Sequence, residues 1–274
     1  LKNQGYKVNF IRNITDIDDK IIERATQNNE LISDLTQRTI SSMHEDFLTL
    51  GLELPNAEPK ATDHISGMVE MIESLIEKGH AYHSPGGDVF FAVRTFSEYG
   101  KLSNKNIDDL NPGSRIAEDE SKKDPLDFVL WKSAKAGEPF WNSPWGKGRP
   151  GWHIECSVMS LKNLGEHFDI HGGGPDLIFP HHENEIAQSE CSSGKQFANY
   201  WLHSGLLKIN GEKMSKSLGN FAMLKDLFVS YHPEVLRYYL VSSHYRSSLN
   251  FDNTSLDQAR SALARLYQAL ASVE

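Results

Sequence analysis

The order in which helical and strand-like spacings of apolar residues follow each other is the feature that most constrains the fold of this chain. Between Thr62 and Gly79, apolar residues recur at the spacing of one helical face, and the glycine suits a helix end. The next segment, AYHSPGGDVFFAV, alternates apolar and polar residues around a Pro-Gly-Gly-Asp turn, which is typical of a β-hairpin. A helix followed at once by a hairpin predicts a mixed α/β architecture.

Further elements follow from similar patterns. A strand is predicted from Lys7 to Ile14, and a helical pattern runs from Ile21 to Gly51. HFDIHGG indicates a short buried strand that ends in glycines. Three more helical segments are predicted, one beginning near Pro180, one from Met223 to Val241 with Pro233 opening its second helix, and one from Ser255 to Val273 with a Ser-x-x-Gln capping box.

Composition narrows the class of protein. The chain has 274 residues, of which 39% are hydrophobic and 24% charged, as in folded proteins of aqueous compartments. No apolar run approaches the roughly 20 residues that span a bilayer, so we expect a cytoplasmic protein without membrane partners. The net charge of -9 argues against binding nucleic acid by bulk positive charge, although a local basic track stays compatible with it. Two cysteines are too few for a disulfide framework.

One histidine and one glutamate have the spacing of a metal site. On a helix that starts near Pro180, His181 and Glu185 project from the same face. Cys156 lies upstream on another element, and sulfur, nitrogen and oxygen donors together suit zinc. By spacing alone, such a pair is more often a surface pair than a ligand set. The adjacent His182 leaves open which imidazole faces inward.

Two glycine-containing segments are candidates for binding phosphates and a small substrate. In EKMSKSLGN, Lys213 and Lys216 flank small hydroxyl residues, so two ammonium groups could close around phosphates. In HGGGPD, the glycines permit close backbone approach, and Asp176 could hold an ammonium group or a ribose hydroxyl. The simpler alternatives are that EKMSKSLGN is a solvated loop and that HGGGPD is a tight turn between a strand and a helix.

These motifs together resemble a known family. KMSKS at Lys213 to Ser217, with GWHIECS, HFDIHGGGPDLIFPHHENEIAQ and NITDIDDKII, is similar to cysteinyl-tRNA synthetase, a class I aminoacyl-tRNA synthetase. The resemblance implies an α/β fold with a Rossmann-type catalytic domain, its nucleotide at the carboxyl ends of parallel strands. It implies a catalytic domain over residues 1–220 with an insertion at roughly 60–150, a stem-contact module over 221–252 and the start of a helical anticodon-side bundle over 253–274.

The resemblance also implies an activity and its residues. A ligase of this kind, active in protein biosynthesis, would activate L-cysteine with ATP and Mg²⁺ and transfer it to tRNA(Cys), as a monomer. One zinc ion per chain would bind the substrate thiolate, and its ligands match Cys156, His181 and Glu185, which selects His181 over His182. The other implied roles are catalysis by Lys213 and Lys216, ATP binding by Ser215, Lys216 and Ser217, and substrate binding by Trp152, Thr15 and Asp176.

Two features of the family do not occur in this sequence. The family carries a HIGH motif and a fourth zinc ligand, a cysteine, ahead of the position that matches Leu1. We therefore expect impaired activity from these 274 residues alone. Two other functions stay open, namely a cysteine ligase of mycothiol synthesis, which makes the same adenylate, and a noncatalytic fragment that binds zinc or tRNA.

Overall fold

The computed structural model describes residues 1–109, 121–214, 220 and 222–273. The chain divides into two compact units. The first unit consists of Leu1–Thr36, Pro55–His171 and Asp176–Trp201, and the second of Gln37–Leu54, Gly172–Pro175 and Leu202–Glu274. No helix within the described ranges is long and apolar enough to cross a membrane.

The described residues form a mixed α/β fold, as predicted. The helices are α1 (Asp19–Asn28), α2 (Ile32–Thr49), α3 (Ile65–Glu77), α4 (Trp152–Leu164), α5 (Glu183–Ser193), α6 (Leu224–Leu227), α7 (Pro233–Val241) and α8 (Asn253–Ala271). The strands are β1 (Ala81–His83), β2 (Val89–Phe91), β3 (Phe128–Ser133), β4 (Trp141–Ser143), β5 (Gly146–Pro150), β6 (Phe168–Gly173), β7 (Ala198–His203), β8 (Leu207–Ile209), β9 (Glu212–Lys213) and β10 (Leu249–Phe251).

Helix α3 and a five-stranded sheet build the core of the first unit. The sheet has the order β1-β2-β3-β5-β4, and all its neighbouring strands run antiparallel. The predicted helix and hairpin are both confirmed, since α3 buries Met68 and Leu75 while β1 and β2 pair directly. Gly148 allows β5 to approach β3 closely, because a Cβ there would lie 2.5 Å from the carbonyl oxygen of Lys132. This sheet lies within the segment for which an insertion is predicted.

The segment from Lys7 to Ile14 is not the regular strand that its apolar residues predict. It makes two isolated parallel bridges, at Ile11 with Ala57 and at Ile14 with Lys60. Ile14 N–H donates to the carbonyl oxygen of Pro59 at 2.9 Å, and Ala61 N–H donates to that of Ile14 at 3.0 Å. In this parallel register the next bond would run from residue 59 to the carbonyl oxygen of Arg12, but Pro59 has no N–H to donate. The proline therefore prevents a continuous ladder along this pair of segments.

A buried carboxylate connects the hairpin to the segment before β3. Asp127 accepts hydrogen bonds from Tyr82 Oη at 2.7 Å, from Val93 N–H at 3.0 Å and from Asp124 N–H at 3.1 Å.

We expect Asp127→Asn to lower the free energy of unfolding by about 2–3 kcal/mol, because an amide has one acceptor oxygen and leaves buried donors unpaired. Urea denaturation measures the change.

The matched control for this prediction is Tyr82→Phe. It removes one donor to Asp127, and the acceptor of the part-buried Lys123 N–H, but keeps the ring, so it should cost about 1 kcal/mol. Equal stability of Asp127→Asn and the wild-type protein would contradict the role given to this carboxylate.

Helices α7 and α8 supply most of the buried residues in the core of the second unit, and Leu236 and Leu256 are fully buried there. Its sheet has the order β10-β8-β9, in which β8 pairs with β10 in parallel and with β9 antiparallel. Pro233 opens α7, as predicted. The predicted capping box of α8 is wrong, because the helix begins earlier and the Asp252 carboxylate caps it by accepting from Ser255 N–H at 2.7 Å. An ionised carboxylate is a stronger acceptor than a serine hydroxyl.

Candidate metal centre and active site

Four segments of the first unit carry the side chains of the candidate site. Cys156 lies one turn into α4, and His171 lies on β6. His181 and His182 end a wide helical turn at Ile178–His182, which contains a cis peptide bond between Phe179 and Pro180. Glu185 follows in the first turn of α5, so this helix begins three residues later than predicted. The turn still places His181 and Glu185 on the same side.

Cys156, His181 and Glu185 converge on one point. One donor atom from each, the Cys156 Sγ, a ring nitrogen of His181 and a carboxylate oxygen of Glu185, lies within 4.8 Å of the other two. All three residues are buried. The structure thus brings Cys156 to His181 and Glu185, which lie far from it in sequence, and these are the three residues to which the family resemblance assigns zinc.

A second group of donors shares the same glutamate. His171, His182 and Glu185 also present donor atoms within 4.8 Å of one another. His171 Nε2 lies 2.9 Å from Glu185 Oε2, whereas His181 Nε2 lies 3.1 Å from Glu185 Oε1. Glu185 therefore stands between His171 on one side and His181 on the other. His182 Nε2 is farther, at 3.9 Å from Oε1.

The electrostatics of the donors depend on their burial and on one another. Burial alone would raise the pKa of Glu185, but the facing His171 and His181 hold the pKa of this carboxyl well below its usual range. Burial, with the nearby Glu185 and Glu155, raises the pKa of the Cys156 thiol well above its usual range. Burial and the neighbouring His181 lower the pKa of His153 to about 3. The group thus contains an ionised carboxylate beside a thiol that ionises only with a cation nearby.

The donor set fits a zinc ion by two observations. Glu185 Oε1 is buried and makes no well-aligned hydrogen bond, although His181 Nε2 lies 3.1 Å from it, and this is costly unless something else binds the oxygen. One sulfur, one imidazole nitrogen and one carboxylate oxygen are the donor types that zinc accepts. In addition, His153 Nδ1 lies 2.8 Å from His181 Nδ1, so the neighbouring ring can orient the imidazole as partners of metal-binding histidines do.

The three residues predicted to bind the substrate differ in how far they are exposed to solvent. Trp152 opens α4 with 46% of its surface exposed, and its ring centroid lies 4.1 Å from that of His181. Thr15 is half-buried and hydrogen-bonds to the Glu155 carboxyl, which neighbours Cys156 in α4. Asp176 is exposed in the short turn Pro175–Leu177. The structure thus places Trp152 directly against the donor group.

The residues predicted to bind phosphates fall largely outside the described part of the chain. Ser215, Lys216 and Ser217 all lie outside the described residues. Lys213 ends the short strand β9, where its backbone pairs with that of Lys208 in β8. The roles of these four residues stay predictions.

Helix α5 is unusual because it buries polar side chains. Glu183 accepts from Ser103 N–H at 2.9 Å, and Asn184 Oδ1 accepts from the Tyr99 hydroxyl. One turn later, Gln188 Oε1 accepts from the Ser157 hydroxyl at 2.7 Å. These contacts, with the ion pair of Glu185, hold the helix against separate segments of the first unit.

Three residues near the site were missed by sequence reasoning. His171 pairs with Glu185, His153 contacts His181, and Asn13 Nδ2 lies 3.4 Å from Cys156 Sγ. The position of His171 at the end of a strand, directly before three glycines, is a signal that could have identified it. Asn13 gives no such signal, because only the tertiary fold brings it to α4.

Cys191, the second thiol, lies outside the donor group on α5. Burial, with a smaller contribution from Glu190, raises its pKa to about 12.

We expect Cys191 in the native protein to react with iodoacetamide at pH 8 at least about 10-fold more slowly than in urea-unfolded protein, because less of it is thiolate. Mass spectrometry of time points measures both rates.

The difference between the native and unfolded reaction rates of Cys191 should change with pH in a defined direction. Above about pH 10 the unfolded cysteine is almost fully ionised and its rate levels off, whereas the native rate keeps rising toward pH 12. The ratio of the two rates should therefore shrink as the pH rises. Equal rates at pH 8 would contradict the assigned environment of Cys191.

A profile of tRNA synthetases class I (C) catalytic domains matches residues 1–261. The chain belongs to this family. Cysteine--tRNA ligases of Ectopseudomonas mendocina and Azotobacter vinelandii are each 61% identical to it over 270 residues, which cover 98% of the chain and 59% of each relative. That of Thioalkalivibrio sulfidiphilus is 60% identical over 274 residues. The chain thus spans about three fifths of the length of these relatives.

Solved structures agree with this class I synthetase family in fold. Mycobacterium tuberculosis methionyl-tRNA synthetase, in complex with methionyl-adenylate, superposes with a TM-score of 0.69 over 94% of the chain and 61% of the synthetase. Its sequence identity is 15%, so this likeness bears on the fold alone. Together with the family match, it confirms the resemblance to the class I synthetases and the predicted fold class.

Proposed function

We propose that the protein is a cysteine--tRNA ligase, which activates L-cysteine with ATP to cysteinyl-adenylate and then transfers the cysteine to tRNA(Cys). The observation that carries the proposal is the buried convergence of Cys156, His181 and Glu185 beside Trp152. This geometry occurs in a chain of the class I (C) family whose relatives carry the name cysteine--tRNA ligase.

Cys156, His181 and Glu185 are the residues proposed to hold one zinc ion. When bound, zinc prefers a thiolate to a hydroxyl, and this difference would separate cysteine from serine. The contact of His153 with His181 would keep that imidazole oriented, and His171 would hold the far oxygen of Glu185. Trp152, half-exposed above His181, would form one wall of the pocket for the short cysteine side chain.

The activation step needs positioning and charge rather than an enzyme nucleophile. The cysteine carboxylate attacks the α-phosphate of ATP, a new bond forms between oxygen and phosphorus, and pyrophosphate leaves. We assign Lys213 and Lys216, with the hydroxyls of Ser215 and Ser217, to stabilise the charge on the triphosphate, which Mg²⁺ accompanies. Thr15 and Asp176 are assigned to polar groups of the amino acid or of the ribose.

The remaining assignments concern the tRNA and the domain limits. We propose that residues 1–220 form the catalytic domain, with an insertion at roughly 60–150. Residues 221–252 would contact the tRNA stem, and residues 253–274 would begin a helical bundle on the anticodon side. The protein is proposed to act as a monomer in the cytoplasm.

The decisive experiment is cysteine-dependent exchange between ATP and pyrophosphate by the natural full-length protein, with serine as the control substrate. We expect exchange with cysteine to exceed that with serine by at least about 100-fold. Elemental analysis of protein purified without chelator should find about one zinc per chain. Exchange that is equal with both amino acids, or protein without zinc, would overturn the proposed selection of cysteine.

A further inference from the structure

We propose that His244, Tyr245 and Arg246 form a stacking platform for an unpaired RNA nucleotide, whose phosphate binds to Arg246. This inference rests on the proposed function, which supplies RNA as a substrate. The three residues lie in the loop between α7 and β10, within the second unit, and all three are exposed. We call them the HYR platform.

The three side chains already lie against one another. The His244 and Tyr245 ring centroids lie 4.7 Å apart at an interplanar angle of 32°, and the Arg246 guanidinium lies 5.3 Å from the Tyr245 centroid. Such imidazole, phenol and guanidinium planes are the surfaces on which proteins stack unpaired RNA bases. Tyr245 exposes 45% of its surface although it has these two neighbours. The platform therefore offers flat, accessible surface to a base.

Arg246 also keeps its charge available. Its Nε donates to the Tyr245 hydroxyl at 2.8 Å, and no carboxylate pairs with it among the described residues. The two terminal nitrogens are thus free for a bidentate contact with a phosphate.

A second tyrosine–arginine pair of the same unit provides the contrast. The Arg260 guanidinium lies 5.8 Å from the Tyr231 ring, but its charge is paired with Asp257 at 2.9 Å. The Tyr231 hydroxyl also contacts Asp257, at 3.4 Å. This pair resembles the HYR platform in chemistry but presents a neutralised cation, which makes Arg260 a matched control.

The backbone holds the platform in place. Gly205 N–H donates to the carbonyl oxygen of Tyr245 at 2.7 Å, and Ser247 N–H closes a turn onto the carbonyl oxygen of His244 at 2.9 Å. A Cβ on Gly205 would lie 2.1 Å from the Ser247 carbonyl oxygen, so this close approach requires glycine. Arg246 N–H also donates to His244 Nδ1 at 3.3 Å. A preordered loop loses little conformational entropy when it binds.

These features favour RNA over a protein partner. The platform combines two aromatic rings in contact with a cation that no carboxylate among the described residues pairs with. With a net charge of -9, the chain does not attract a polyanion as a whole, so a local site of this kind is needed. The unpaired base supplies the stacking contact, and its phosphate supplies the ion pair.

The test is the affinity of the natural full-length protein for three RNAs, measured by fluorescence anisotropy. The RNAs are a tRNA(Cys) transcript, a short single-stranded RNA and a blunt RNA duplex of the same length. We expect Tyr245→Ala to weaken binding of the first two by about 10-fold or more and to leave duplex binding unchanged. Arg246→Ala should also reduce the slope of affinity against salt by about one unit.

Conservative and control variants separate stacking from folding. Tyr245→Phe keeps the ring and should bind within about 3-fold of the wild-type protein. Arg260→Ala should change neither affinity nor salt slope. The proposal is overturned if Tyr245→Ala binds all three RNAs like the wild-type protein, or if it loses duplex binding to the same degree. Exchange of pyrophosphate uses no RNA, so failure of that assay counts against the proposed function and not against the platform.

Discussion

Replacing Cys156 by serine is expected to lower cysteine-dependent pyrophosphate exchange by at least about 100-fold and to remove most of the bound zinc. The serine hydroxyl keeps roughly the size of the thiol but does not ionise near neutral pH. The buried Glu185 carboxylate and His181 would then face a neutral, weaker donor. Because we assign both zinc binding and the selection of cysteine to this site, both should fall together.

Cys191→Ser is the matched control for this variant. Cys191 is the other cysteine of the chain, sits on α5 and is not part of the donor group. Its replacement should leave zinc content and exchange within about 2-fold of the wild-type protein, a range in which variants away from a site usually fall. Circular dichroism of both variants checks that they fold. A Cys156→Ser protein with full zinc and normal exchange would exclude Cys156 as a ligand.

Lys216→Ala is expected to lower the rate of exchange by about 100- to 1000-fold, which is the usual effect of removing one group that stabilises transition-state charge. The loss should appear in kcat more than in KM for cysteine, because the ammonium group acts on the triphosphate as negative charge develops. Steady-state exchange at varied ATP and cysteine separates these parameters. Zinc content should not change.

Lys208→Ala provides the control for lost positive charge. Lys208 lies on β8, where it pairs with the backbone of Lys213, and it is outside the KMSKS motif. If both lysine variants lost activity equally, a general electrostatic effect of the segment would explain the result and the specific role of Lys216 would fail. Lys216→Arg keeps the charge and should recover part of the rate.

Local periodicity predicted those elements whose side chains have one apolar face. Helix α3 and the β1–β2 hairpin fall into this class, since Met68 and Leu75 recur on the buried face. The segment from Lys7 to Ile14 shows the limit of the method. Its own residues favour a strand, but the absence of an N–H on Pro59, in the segment it pairs with, decides the outcome.

The candidate site could be predicted only in part, for a similar reason. His181 and Glu185 lie four residues apart on two consecutive helical segments, so their spacing is informative, and the family resemblance adds Cys156. His171, His153 and Asn13 reach the site through the tertiary fold, and no spacing rule connects them to it. Helix α5 has no apolar stripe that would show which of its faces is buried, because Glu183 and Glu185 are both inside.

The buried polar side chains of α5 have a consequence for protein engineering. The helix depends on groups supplied by the Tyr99–Ser103 segment, by Ser157 of α4 and by His171 of β6. A chimaera that received α5 alone would bury unpaired carboxylates in its new host, at a cost of several kcal/mol. The proposed metal-binding half of this site can therefore be transplanted only as a block of four segments, and directed evolution that recombines shorter pieces will break it.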